Sequence, residues 1–267
     1  MNSNRVPYRL VILRHGQSEW NAAGVFTGWE NAHLTTQGEL EAVRAGALLA
    51  AHGVLPDFAH TSLQRRAIRT ADLVLAAADR DWIPVRRSWR LNGRHYGALQ
   101  GKNKAEVLHE YGEQQVMLWR RSYDVPPPPL DAAAAAAQAA DPRYQAMPPD
   151  ALPRAESLAD VSARLLPYWY DAIVPDLRVR GCVLVVSHGN TLRALVKHLE
   201  SIPDDRIAEL EFPTGVPLVY QLGPDLRPDD LGGPYLDPHA ARDGLGAIAC
   251  RHLTDPEEVR DEEQARR

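Results

Sequence analysis

Two apolar runs in this sequence stop abruptly on a histidine followed by a glycine. The first reads Val11-Ile12-Leu13-Arg14-His15-Gly16 and the second Leu184-Val185-Val186-Ser187-His188-Gly189-Asn190. A histidine in such a place has an exposed ring and an uncrowded backbone. In an open α/β sheet, ligands gather at the carboxyl ends of strands, where helix N-termini and free N–H groups point. One histidine there is commonly structural. Two, one preceded by Arg14 and the other followed by Asn190, indicate a shared site. A neutral imidazole whose other nitrogen is held by a carbonyl or carboxylate is nucleophilic near neutral pH. A phosphoryl group spreads its charge over three oxygens and needs several converging cations and donors. Arg14, Arg66 (in the segment TSLQRRAIRT) and His188 supply them, with Asn21 as a neutral donor. The expected chemistry is phosphoryl transfer through a phosphohistidine at His15, the arginines doing the electrostatic work of a metal. There is no HExxH pair, no cysteine cluster and no glycine-rich dinucleotide fingerprint, so neither a metal nor a nicotinamide is expected.

The elements that must hold these residues can be read around them. Tyr8 to Leu13, Asp57 to Thr61 and Val183 to Ser187 are short apolar or β-branched runs of strand length. Thr36-Gln37-Gly38-Glu39 has capping-box spacing, followed by Leu40, Val43, Ala47 and Leu48 as the expected buried face of a helix. Ser62 is placed to cap a second helix marked by Ala67, Ala71, Val74 and Leu75. Leu158, Val161, Leu165 and Trp169 mark a third, and Thr191 to Leu199 a fourth. Strands alternating with helices predict a three-layer α/β/α sandwich around a mostly parallel central sheet, with His15 and His188 at adjacent strand ends.

Residues 1–253 are expected to form a single domain, interrupted by a Pro/Ala-rich insertion at 125–153. Pro126 to Pro129 precede Ala132 to Ala137, and further prolines follow, a density that excludes regular sheet or a long helix. This segment reads either as a surface insertion or as a lid. Residues 254–267 form a charged tail. A net charge of −5 argues against a nucleic-acid partner. Two cysteines, Cys182 and Cys250, make no disulfide framework and fit a reducing compartment. No apolar stretch approaches a membrane span or a signal-peptide core, so a cytoplasmic protein is expected.

Several runs together carry a family resemblance: RHGQSEWNAAGVFTGW from Arg14, TSLQRRAIRT, RHYGALQGKNKAE from Arg94, the Trp119-Arg120-Arg121 triplet, SHGNTLRALVKHL and FPTGVPLVY. In this order, from about Tyr8 to Tyr235, the chain resembles the cofactor-dependent phosphoglycerate mutases of the histidine phosphatase superfamily. The resemblance implies that His15 is the phosphorylated nucleophile, with Arg14, Asn21, Arg66, His188 and Gly189 around the phosphoryl group. It implies Ser18, Thr27, Gly28, Tyr96, Lys104, Arg120, Arg121 and Asn190 as substrate-binding residues. It further implies priming by 2,3-bisphosphoglycerate, interconversion of 2- and 3-phosphoglycerate, a small anionic substrate and a homo-oligomer, dimeric or tetrameric.

One position departs from this pattern. The family reads LNERHYG where this chain reads Leu91-Asn92-Gly93-Arg94-His95-Tyr96-Gly97. The resemblance makes that glutamate the general acid/base, and Gly93 leaves the role vacant, a loss worth about 10²–10⁴ in rate. Val25 stands where arginine is frequent and His33 where aspartate is common. Three readings follow. The chain is a phosphoglycerate mutase, either much weakened or with Glu19, Glu106 or a water as substitute. Alternatively it is a divergent phosphotransferase or phosphatase whose donor has a good leaving group, or a non-catalytic anion-binding paralogue. The intact Arg14, His15, Arg66 and His188 argue against the last, and Gly93→Glu is expected to raise mutase turnover.

Overall fold

A computed structural model describes residues 8–250, with side chains through 246. The charged tail, 254–267, lies outside the described residues. Five strands form one sheet: β1 (Tyr8–Arg14), β2 (Phe58–Thr61), β3 (Val85–Arg87), β4 (Cys182–Ser187) and β5 (Leu218–Leu222), in the order β3-β2-β4-β1-β5. All neighbours are parallel except β1 and β5. The β1/β4 register pairs Arg14 with Ser187. His15 and His188 therefore leave neighbouring strands at the same level, and the His15 N–H bonds the Ser187 carbonyl at 2.9 Å.

The helices are α1 (Glu19–Ala22), α2 (Thr36–Ala51), α3 (Arg65–Ala77), α4 (Lys104–Tyr111), α5 (Glu113–Arg121), α6 (Ala132–Ala139), α7 (Leu158–Tyr168), α8 (Val174–Arg180), α9 (Gly189–Glu200) and α10 (Pro238–Cys250). A π-helical turn at Trp169–Ile173 joins α7 to α8, just after Pro167. The sheet's alternation sorts the core: Leu10, Ile12, Val183 and Val185 pack on α7, α8 and α9, while Val11, Leu13, Leu184 and Val186 pack on α2 and α3. This is the expected three-layer sandwich.

Three local expectations are corrected. Thr35, not Thr36, caps α2, its hydroxyl accepting the Gly38 N–H at 3.0 Å. The buried face of α2 is Gly38, Ala42, Ala45, Gly46 and Leu49, whereas Leu40 is 60% and Val43 43% exposed. The reason is close approach. A Cβ on Gly46 would lie 2.3 Å from the Val74 carbonyl oxygen, so small residues set the α2/α3 contact and the larger ones face outward. Similarly, Gln64 rather than Ser62 occupies the cap position of α3; Ser62 has another task, described below.

The Pro/Ala-rich insertion is folded onto the body. Asp131 caps the short α6 by accepting the Ala134 N–H at 2.7 Å. Tyr144 and Met147 are buried against Trp29. Pro128 accepts the Ala98 N–H at 2.8 Å, and Gln138 Oε1 lies 2.6 Å from His95 Nε2.

Candidate active site

His15 sits just past β1 and is only 4% exposed, so its ring is buried within the site rather than exposed as expected. Its Nδ1 lies 2.7 Å from the Gly16 carbonyl oxygen. A carbonyl only accepts, so Nδ1 carries the proton and Nε2 keeps its lone pair. The Arg66 Nε–H, donating to that Nε2 at 3.2 Å, fits the same tautomer. Burial first, then Arg66 and Arg14, hold the His15 pKa well below the usual 6.5, against a raising contribution from the Gly16 carbonyl. The ring is therefore neutral at pH 7, with its free nitrogen facing a guanidinium.

His188 lies with its ring centroid 4.9 Å from that of His15. Ser62 Oγ accepts the Gln64 N–H at 3.1 Å and meets His188 Nε2 at 2.9 Å. The Ser62 hydroxyl proton has no other acceptor among the described residues, so it goes to Nε2, which places the His188 proton on Nδ1. Among the described residues that nitrogen is buried without a protein partner, a donor waiting for an oxygen. Burial, then Arg66, His15, Arg164 and Arg14, hold this pKa well below 6.5 as well.

Arg66 is only 2% exposed. Backbone oxygens and an amide orient it rather than a carboxylate: Glu30 O at 2.7 Å, Gly28 O at 2.9 Å and Gln64 Oε1 at 3.1 Å. Its charge is thus left for a ligand. Arg14 Nη1 donates to the Phe212 carbonyl at 2.7 Å.

These residues open into a cavity of about 590 Å³. Its walls carry seven cationic side chains (Arg14, Arg66, Arg94, Lys104, Arg120, Arg121 and Arg193) and a single carboxylate, Glu211, which is ion-paired with Arg121. Burial and mutual repulsion press Arg66 and Arg193 down to about 9 and Arg121 to about 10. All remain cations at neutral pH. Such a surplus of buried positive charge is costly unless a polyanion enters.

Of the residues expected from sequence, Arg14, His15, Asn21, Thr27, Gly28, Arg66, Tyr96, Lys104, Arg120, Arg121, His188, Gly189 and Asn190 all line this cavity, as does Gly93. Ser18 does not. It is fully buried and caps α1, its hydroxyl accepting the Asn21 N–H at 3.2 Å while its own N–H is taken by Asn21 Oδ1. It thereby positions Asn21 and leaves the Asn21 amino group free of that bond. Neither Glu19 nor Glu106 lines the cavity. Arg94, Asn103 and Arg193 line it and were not singled out. Arg94 and Arg193 are 1% and 3% exposed, and among the described residues Arg94 Nε and Nη1 and Arg193 Nε have no hydrogen-bond partner. The available signal was their presence inside RHYGALQG and SHGNTLRALVKHL.

Gly93 is held on both sides. Its N–H bonds Gln64 Oε1 at 2.9 Å, and its carbonyl takes the Trp29 indole N–H at 2.7 Å and Arg164 Nη2 at 3.0 Å. Its φ is not positive, so no backbone requirement enforces glycine. A Cβ there would meet Gln64 Oε1 and His188 Cγ at 3.3 Å and Arg66 Nη2 at 3.4 Å. Position 93 thus looks directly onto the two groups that flank the nucleophile.

Two histidines at adjacent strand ends, with Arg14 and Arg66 beside them, make a site suited to a phosphoryl group, and the model of the histidine phosphatase superfamily (branch 1) matches residues 10–145 and 130–216. The 2,3-bisphosphoglycerate-dependent phosphoglycerate mutase of Streptomyces avermitilis is 60% identical over 242 residues, spanning 91% of this chain and 96% of its own. That of Thermobifida fusca is 59% identical over 239 residues, 90% of this chain and 97% of its own. The chain belongs to the histidine phosphatase superfamily and, within it, to the family of these phosphoglycerate mutases. Among solved structures, a mycobacterial glucosyl-3-phosphoglycerate phosphatase with bound VO3 shares the fold at a TM-score of 0.64 and 24% identity, covering 82% of this chain and 95% of that one. Among the described residues, no helix is long and apolar enough to cross a membrane.

Proposed function

We propose that this protein interconverts 2- and 3-phosphoglycerate through a phosphohistidine at His15, as a 2,3-bisphosphoglycerate-dependent mutase. The observation that carries the reading is the tautomer of His15: Nδ1 is tied to the Gly16 carbonyl, leaving Nε2 as a neutral nucleophile beside Arg66. The relatives that match over nine-tenths of the chain bear that mutase name.

The residues fit such a polyanion. Arg14, Arg66 and the Nδ1–H of His188 surround the position of a phosphoryl group on His15 Nε2. Arg94, Lys104, Arg120, Arg121 and Arg193 lie further round the same cavity, for a carboxylate and a second phosphate. 2,3-Bisphosphoglycerate, when bound, supplies the phosphoryl group that primes His15. Nε2 attacks phosphorus as the ester oxygen departs, and the cations stabilise charge on the equatorial oxygens. A hydroxyl of phosphoglycerate then takes the phosphoryl group back, and the P–N electron pair returns to Nε2.

The test is to incubate the protein separately with 2,3-bisphosphoglycerate, 3-phosphoglycerate and an acyl phosphate, locate the phosphoryl group by mass spectrometry at neutral pH, and follow formation of 2-phosphoglycerate. Phosphate on His15 together with isomerisation supports the proposal. Release of inorganic phosphate without isomerisation would make the protein a phosphatase instead.

A further inference from the structure

We propose that Tyr96 is the residue that takes the proton from the attacking hydroxyl, and returns it to the leaving oxygen, in the mutase reaction proposed above. The inference rests on that reading and addresses what replaces a carboxylate at position 93. Among the cavity-lining residues the alternatives are few. Glu19 and Glu106 are outside the cavity, and Glu211 is engaged by Arg121. His15 is the nucleophile, and the Nδ1–H of His188 faces the phosphoryl position. Tyr96 remains.

Its surroundings prepare a phenol to give up its proton. Asn190 Nδ2 donates to the Tyr96 hydroxyl oxygen at 3.0 Å. The orientation of that amide is not free, because Arg193 Nη1 donates to Asn190 Oδ1 at 3.0 Å and holds the amino group toward Tyr96. The Arg94 guanidinium carbon lies 4.7 Å from the centroid of the Tyr96 ring. Asn190 is two residues beyond His188 at the start of the 12-residue α9, so the phenol oxygen sits at the positive end of a helix, at the junction that presents His188. A phenolate gains from each of these neighbours, since they donate or carry positive charge. Burial pushes the phenol up, but the charges of Arg94 and Arg120 and the hydrogen bond from Asn190 outweigh it and bring it down to about 7. Several other phenols move the opposite way: burial raises Tyr144, Tyr168 and Tyr235 to about 12.

The step balances. As the substrate hydroxyl oxygen bonds to phosphorus and the P–Nε2 bond of His15 breaks, the hydroxyl proton passes to the Tyr96 oxygen. In the reverse direction Nε2 attacks, the ester O–P bond breaks, and the phenol protonates the departing alkoxide. Asn190 and Arg193 are positioning residues in this scheme.

The experiment uses the full chain. Wild type and Tyr96→Phe are primed with 2,3-bisphosphoglycerate, whose leaving alkoxide needs a proton, and with acetyl phosphate, whose leaving group does not. Turnover of 3-phosphoglycerate and near-ultraviolet tyrosinate absorbance are followed against pH. Expected are a wild-type tyrosinate transition and a kcat limb near pH 7, both lost in Tyr96→Phe. The variant's kcat and its priming rate from 2,3-bisphosphoglycerate should fall about 10²-fold or more, with priming from acetyl phosphate preserved. A variant that raises KM while keeping kcat and the limb, or one that slows both donors equally, overturns the proposal. Wild type that places no phosphate on His15 from either donor overturns the mutase reading itself, and this proposal with it. Should Tyr96→Phe fail to fold, Asn190→Leu keeps the phenol and removes its donor. The limb should then move up by about one pH unit, and an unmoved limb overturns the proposal.

Discussion

If Tyr96 carries the proton and position 93 could carry it, a carboxylate installed at 93 should be redundant in wild type and decisive without the phenol. The perturbation is Gly93→Glu, alone and combined with Tyr96→Phe. The backbone accepts it, because φ at Gly93 is not positive and both flanking hydrogen bonds are made by main-chain atoms. The new Cβ meets Gln64 Oε1 and His188 Cγ at 3.3 Å, so these neighbours must yield by a few tenths of an ångström. Crowding of this kind costs about 1–3 kcal/mol, and the lower entropy of the unfolded chain returns about 0.4–1 kcal/mol. The net loss, on the order of 1 kcal/mol, lowers Tm by about 2–4 °C in a chain of this size. The carboxylate enters beside Arg66, which has no carboxylate of its own. In place of the rise that the vacancy alone implies, turnover of 3-phosphoglycerate should stay within a few-fold in Gly93→Glu when Tyr96 carries the proton, fall about 10²-fold or more in Tyr96→Phe, and recover in the double variant. Recovery of 10²-fold corresponds to a coupling of about 2.7 kcal/mol between two sites that each supply the same proton. The assay is steady-state 2-phosphoglycerate formation with 2,3-bisphosphoglycerate present. A folded double variant that forms phosphohistidine yet stays as slow as Tyr96→Phe would refute the reasoning, because the position facing His188 and Arg66 would then be unable to serve the transferring oxygen.

Arg120→Ala combined with Arg121→Ala should raise KM at least about tenfold, as expected for lost charge-assisted hydrogen bonds, a larger effect than its cost in stability. The variant loses the Arg121–Glu211 ion pair, but burial and like charges already disfavour both cations, so relieved repulsion offsets part of that loss; added phosphate should raise the Tm of wild type more than that of the variant. Stability should decline as pH falls below 6.5. Folded His15, His188 and His60 resist protonation, His60 down to about 4, so the unfolded chain binds more protons in that window. Each group adds a slope of up to about 1.4 kcal/mol per pH unit between its folded and unfolded values and nothing above the latter, which thermal melts at successive pH values will show. Tyr144→Ala should cost about 3 kcal/mol or more and lower kcat, since Tyr144 packs on Trp29 and its hydroxyl accepts from Asn92 Nδ2 beside Gly93; unchanged kcat in a folded variant would detach the insertion from the site.

The sheet was legible because its strands are apolar runs with a sharp end, and the ends are where the chemistry stands. The Arg14–Ser187 register follows from two such runs lying parallel and stopping at the same depth. The wrong face of α2 has an equally physical origin. Periodicity ranks residues by hydrophobicity, but Gly46 and Ala42 are buried because of how near α3 comes, a distance that no local pattern contains. What the insertion packs against was illegible for a related reason. Proline density reports where regular structure stops, not what the segment packs against. No residue of 125–153 lines the cavity. The segment stands behind the 92–95 loop instead, so its leverage on the site is indirect.

The site itself was legible where one residue type has few other uses. A histidine before glycine at a strand end, repeated, has no common structural explanation, and both copies fell in one cavity. Ser18 was misplaced because a serine is as useful to a helix terminus as to a phosphate: the same hydroxyl suits both, and only the Asn21 N–H at 3.2 Å decides between them. Arg94 and Arg193 escaped for the opposite reason, since arginine is so often a surface residue that its burial has to be seen. Yet their burial changes the reading of Gly93 more than any motif does. Read alone, Gly93 is a missing carboxylate. Read beside two unneutralised guanidinium groups and an amide held by one of them, it shares the cavity with a phenol prepared to exchange a proton. With the carboxylate gone, the phenol three residues along the loop, which the family pattern also carries, is the group left to exchange the proton, so the vacancy at 93 does not by itself imply an idle enzyme.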